Sequence, residues 1–127
     1  MLHDKITFQL VSSSSCKVDR SRFLSFAEPC KSLDDIKLIV RKYRKKYHDA
    51  KHVCWAACIG NNEQQITQYS NDGEPSGTAG TQILQGIMSS SFTDVIVIVV
   101  RYFGGIKLGK KNLSDVYKTL AMTVINR

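Results

Sequence analysis

The chain has 127 residues, fitting one domain, and 43% of them are hydrophobic, which suffices for a core and excludes a disordered tail. Lys and Arg outnumber Asp and Glu by 18 to 11, for a net charge of +7 and a pI near 9.4. That balance favours an acidic or phosphorylated partner, or nucleic acid, over an acidic-surface enzyme. The most apolar run, 95–100, is far short of the roughly 20 residues a membrane helix needs, and the start Met1-Leu2-His3-Asp4-Lys5 has no signal-peptide character. The chain therefore reads as cytoplasmic, with no membrane partner.

In chain order, residues 5–12 alternate with β-formers and predict a first strand; the serine run 12–15 reads as a turn or mobile loop. Residues 22–28 predict a second strand, ending at Pro29. Ser32 is the N-cap of a helix that reaches about Tyr47, with Asp34 and Asp35 in its first turn. Ile36, Val40, Tyr43 and Tyr47 fall within about 60° of one another and form its buried stripe. Arg41, Lys42, Arg44, Lys45 and Lys46 spread over the other faces, either as a solvated surface or as a partner-docking patch. Without those five the net charge of +7 would drop to +2, so the basicity is local.

Residues 53–59 predict a strand covered on both faces, Asn61-Asn62 a turn, and 64–69 its hairpin partner. The stretch 72–80 is too rich in Gly and Pro for regular structure. Ile83, Leu84, Ile87 and Met88 give helical spacing, for a helix starting near Thr78. Residues 95–102, dense in β-branched side chains, predict a central strand. A second glycine loop, 104–109, leads into a helix capped by Asn112 and buried through Leu113, Val116, Tyr117, Leu120 and Val124. The order β-β-α-β-β-α-β-α predicts one α+β domain over 1–127: a two-layer sandwich with a mixed sheet of four to five strands.

Both glycine loops lead from a strand into a helix, a setting in which backbone N–H groups converge on an anion. The first offers Asp72, Glu74, Ser76, Gly77 and Thr78; the second offers Gly104, Gly105, Lys107, Lys110 and Lys111, with Arg101 ending the preceding strand. Tight turns are the plainer use of the same glycines. Neither loop has the Walker or dinucleotide glycine spacing, so ATP hydrolysis and NAD chemistry find no support. Asp72 and Glu74 could form an acid/base pair or hold magnesium, though paired carboxylates in a turn are usually solvated. His52 reads as a hydrogen-bonded structural residue. Cys16, Cys30, Cys54 and Cys58 read as reduced thiols, not a zinc site. No catalytic set, metal site or cofactor is predicted.

Two segments, Ser70-x-Asp-Gly-Glu-Pro-Ser-Gly-Thr-Ala-Gly80 and Val100-Arg-Tyr-Phe-Gly-Gly-Ile-Lys-Leu-Gly109, closely resemble the paired signatures of the IMPACT/YigZ family. Ser21-Arg22-Phe23 and Ala50-x-His52-x-Cys54-x-Ala56 match in the expected order, and the resemblance covers about 15–125. It implies a fold like the second domain of ribosomal protein S5. Eukaryotic members look like regulators of translation that compete for the activator of the starvation-responsive kinase of an initiation factor, and so restrain that kinase. The resemblance thus implies a protein-binding regulator. RNA or ribosome binding through the basic helix is the alternative, and an enzyme acting on a phosphorylated small molecule is a third reading. This chain departs from the family pattern at Gln82, usually proline, and at Lys111, Asn112 and Asp115, where a glycine pair and an arginine are usual. Neither an N-terminal RWD domain nor a C-terminal ferredoxin-like domain is recognisable in it.

Overall fold

The computed structural model describes residues 4–127; Met1–His3, part of the start read above for signal-peptide character, lie outside the described residues. In chain order the strands are β1 (Ile6–Thr7), β2 (Ser12–Val18), β3 (Ser21–Pro29), β4 (His52–Ile59), β5 (Ile66–Ser70), β6 (Phe92–Thr93) and β7 (Val95–Tyr102). The helices are α1 (Leu33–Lys46), α2 (Gly80–Met88) and α3 (Lys110–Ile125). Five strands form an antiparallel sheet in the order β2-β3-β7-β4-β5, and β1 and β6 add a short parallel pair.

As predicted, β7 is central, and its alternation divides the interior in two. Val95, Val97 and Val99 face one core with Ile83 and Ile87 of α2 and Leu113, Tyr117, Leu120 and Val124 of α3. Ile96, Ile98 and Val100 face the other, against Ile36 and Tyr43 of α1. The fold is α+β as expected, but the helices occupy both faces, so the layers are helix, sheet and helix where two layers were anticipated. Element order alone does not say on which face a helix lands, and the doubly apolar β4 and β7 require cover on both.

Helix α1 follows its sequence signals. The Ser32 hydroxyl accepts from Asp35 N at 3.1 Å, Asp34 and Asp35 sit in the first turn, and Arg44, Lys45 and Lys46 in the last. Helix α3 does not: Asn112 lies inside it, and Gly109 (φ 77°) is its N-cap, with no side-chain capping bond.

The N-terminal region differs more. The serine run is not a loop; it opens edge strand β2, paired residue by residue with β3 from Ser12–Ala27 to Val18–Ser21. Serine is a poor strand former by propensity, but strand propensity depends on context, and the neighbouring apolar strand supplies the pairing. The true turn is Asp19-Arg20, with φ of 46° and 69°, a two-residue connection of the primed kind that favours a hairpin. Of the strand predicted over 5–12, only Ile6–Thr7 pairs before β2, with β6.

Candidate functional site

Arg101 stands near the end of β7, in register with Phe23 of β3 and His52 of β4. Cross-strand partners share a face, so Arg101 and His52 project together towards the α3 side of the sheet. The loop after β5 supplies what they meet. Asp72 (φ 43°) and Gly73 (φ 84°) reverse the chain, and Glu74 N donates to Asn71 O at 3.0 Å. That turn folds Glu74 back over the strand ends, where it is 7% exposed and Arg101 4%.

The Glu74 carboxylate is fully engaged. Arg101 Nη1 donates to its two oxygens at 2.9 and 2.8 Å, and the Tyr117 hydroxyl donates to Oε2 at 2.5 Å. His52 places Nε2 3.3 Å from Oε1 and Nδ1 2.7 Å from the Asp72 carbonyl oxygen. The remaining Arg101 nitrogens, Nε and Nη2, donate to Ser21 Oγ at 3.4 and 3.3 Å, and the same oxygen accepts from Gly104 N at 3.3 Å. One buried network therefore ties both glycine loops, three strands and α3 together. Cys54 Sγ lies 3.5 Å from the Tyr117 hydroxyl and 3.2 Å from Asn71 O; burial pushes its thiol up to about 12 and raises the Tyr117 phenol well above its ordinary value.

The other predicted site residues divide. Asp72 Oδ2 accepts from Val53 N at 2.7 Å, and its other oxygen lies 3.5 Å from Arg44, so this carboxylate organises the turn. Thr78 is buried and its hydroxyl donates to Pro75 O at 2.6 Å, within its own loop. Ser76 and Gly77 are exposed, and the Gln82 side chain closes the loop by donating to Gly77 O at 3.1 Å. The start of α2 is already occupied, because Asn71 Oδ1 accepts from Gly80 N at 2.7 Å. Gly104 packs against Arg20 so closely that an added Cβ would lie 2.1 Å from its carbonyl oxygen, and Gly105 has a φ of 87° with open space around it. Both thus serve the turn. Lys107 is exposed on the rim of a cleft.

That cleft, about 520 Å³, lies above the Glu74 network. Its walls include Pro75, Phe103, Leu108 and Leu113, its rim carries Lys51, Lys107 and Lys110, and His52, Glu74 and Arg101 form its floor. The start of α3 at Gly109 opens into it. Among the described residues no group of three or more His, Cys, Asp or Glu side chains is placed to hold a metal ion. Asp72 and Glu74 are not a free pair, since each is held by its own partners.

On α1 all five basic residues are exposed. Lys42 Nζ is 2.8 Å from Glu28, and Arg44 reaches Asp72, whereas no carboxylate among the described residues lies within 4 Å of the charged groups of Arg41, Lys45 or Lys46. Sequence reasoning missed Tyr117, which belongs to the apolar stripe of α3 by spacing, and the cleft lysine Lys51; Lys110, read from the sequence with the second glycine loop, does line the cleft. For Tyr117 the one available signal is a hydroxyl-bearing side chain in a fully buried stripe, which requires a polar partner.

The model of the Impact N-terminal domain family matches residues 19–125. The chain belongs to the IMPACT family. It is 34% identical over 92% of its length to the IMPACT family member YvyE of Bacillus subtilis, covering 54% of that protein. It is 36% identical over 80% of its length to YigZ of Escherichia coli, covering 50% of it. The chain thus spans about half the length of these curated relatives. Among solved structures, a hypothetical protein superposes on all of this chain with a TM-score of 0.93 at 28% identity, over 62% of its own length. The two-domain translational regulator Yih1 matches 99% of the chain and 51% of its own, at a TM-score of 0.53 and 22% identity, a likeness of fold. No helix among the described residues is long and apolar enough to cross a membrane.

Proposed function

We propose that this domain acts in the control of translation initiation by binding a protein partner, with α1 as the docking element. The observation that carries this reading is the set of cations Arg41, Lys45 and Lys46, exposed on one helix and without a carboxylate within 4 Å among the described residues, in a domain whose family resemblance implies a regulator of translation. A structural neighbour described as a translational regulator supports the same direction. By family resemblance the partner is the activator of the starvation-responsive kinase, and binding restrains that kinase. Lys42 and Arg44 contribute less to docking, because their charges are engaged within the domain. RNA or the ribosome is the second reading. Tyr43 is buried and Tyr47 half-buried, which leaves α1 no free ring to stack on a base, so such binding would rest on phosphates alone.

The test is a pull-down from cell extract with and without nuclease, at about 50 and 300 mM salt, a range over which phosphate-driven binding falls by orders of magnitude. Translation-control proteins retained after nuclease at about 50 mM salt, and lost with Arg41→Glu, Lys45→Glu and Lys46→Glu together, support the regulator. Loss of all retained material on nuclease treatment overturns it in favour of RNA.

A further inference from the structure

We propose that the cleft beneath the second glycine loop is a binding site for a small phosphomonoester carrying a flat ring, of the size of a mononucleotide. The site is distinct from α1, and the proposal does not rest on the docking role of that helix.

Three features of the cleft converge on this ligand. The first is charge. Lys51, Lys107 and Lys110 line it, and among the described residues no carboxylate lies within 4 Å of their charged groups. The one carboxylate of the floor, Glu74, is already met by Arg101, Tyr117 and His52 and has little negative charge to offer the rim. The opening therefore keeps an excess of positive charge that the fold itself does not neutralise, suited to a dianion.

The second is the wall. Phe103 is 46% exposed although it lines the cleft, and Pro75, Leu108 and Leu113 continue the apolar surface. The Arg101 guanidinium lies 5.6 Å from the Phe103 ring and holds that side of the cleft in place from below. An apolar wall beside a cationic rim suits a ligand with a flat body and a charged end. A bare ion would leave the wall wet.

The third is enclosure. About 520 Å³ falls within the range of clefts that take a small molecule whole. The lysines at the start of α3 fit the same picture. Lys110 and Lys111 stand at the positive end of a helix dipole, where α1 places Asp34 and Asp35. A bound phosphate would offset that local conflict.

The test is titration of the intact chain with phenyl phosphate and with the nucleoside 5′-monophosphates, followed by calorimetry and by amide chemical shifts, with inorganic phosphate and phenol as controls. Saturable binding of at least one flat phosphomonoester is expected, with shifts at Gly73, Phe103, Gly109 and Lys110. Inorganic phosphate and phenol should each bind about tenfold more weakly, each lacking one half of the recognition. Lys107→Glu with Lys110→Glu, both exposed positions, should weaken binding by about tenfold or more, and Phe103→Ala should weaken the phosphomonoester without altering the response to inorganic phosphate. The Arg41, Lys45 and Lys46 reversal should leave the titration unchanged. The proposal is overturned if none of the phosphomonoesters saturates, if inorganic phosphate binds as tightly as they do, or if the Lys107/Lys110 variant binds undiminished.

Discussion

Arg101 and His52 stand opposite each other in the register of β7 and β4, and both reach the same carboxylate, that of Glu74. The sheet supplies the two nitrogen-bearing side chains, the first glycine loop supplies the acid, and α3 adds the Tyr117 hydroxyl from above. No single element holds the network, so its energetics report on how the whole domain is assembled.

Removing one member should therefore cost more than an ordinary surface pair. Glu74→Gln leaves Arg101 buried without a counter-charge, and a loss of about 3–5 kcal/mol is expected. Tyr117→Phe removes one hydrogen bond to a charged group, for about 1.5–3 kcal/mol. Because both act on one carboxylate, the double variant should lose less than the sum. Urea unfolding of the two single variants and the double variant measures all three values; additive losses would show that Tyr117 and Glu74 do not act together.

The two adjacent glycines should respond differently to alanine. At Gly105 the space is open, and the cost is that of a left-handed backbone conformation, about 1–2 kcal/mol. At Gly104 the new Cβ would fall 2.1 Å from the Arg20 carbonyl oxygen, so the hairpin turn and the second loop must separate. The expected order of thermal stability is wild type, Gly105→Ala, then Gly104→Ala by a clear margin.

Alkali should destabilise the fold through its buried acids. Burial pushes the Cys30 and Cys54 thiols up to about 12 and raises the phenols of Tyr43 and Tyr117 as well. A raised folded value means the folded chain holds these protons more tightly than the unfolded one. Their contribution is fully present below the unfolded thiol range, about 8.5, and is lost as pH climbs through the folded values. The urea midpoint should therefore stay level up to about pH 8.5 and fall steadily above it.

The same burial orders the thiols by reactivity. Cys16 is half-buried on edge strand β2, while Cys30, Cys54 and Cys58 are buried. Brief alkylation of the native protein near neutral pH, read by peptide mass mapping, should mark Cys16 first and leave the other three until urea is added. Early labelling of Cys54 would show that the network around Tyr117 opens readily.

Much of this was legible in the sequence, for reasons that can be assigned. Strand β7 declares itself by β-branched density, and α1 by its cap, acidic first turn and apolar stripe, because in both cases local chemistry and burial agree. The two glycine loops likewise stand out, and they do meet in space. The serine strand was hidden because its pairing comes from β3 and not from its own side chains. The start of α3 was misplaced because Asn112 has the chemistry of a cap, whereas the chain uses the backbone of Gly109. The cleft depends on side chains from 51 to 113 that only the folded sheet brings together.

The double burial of β7 leaves its alignment underdetermined by hydrophobicity. Sliding the strand by one residue would exchange Val95, Val97 and Val99 for Ile96, Ile98 and Val100, and either set is an acceptable core lining. Arg101 breaks that degeneracy: shifted to the α1 face, it would be buried away from Glu74 and Ser21. The buried ion pair at the cleft floor is thus also the feature that tells the central strand which way round its two faces belong.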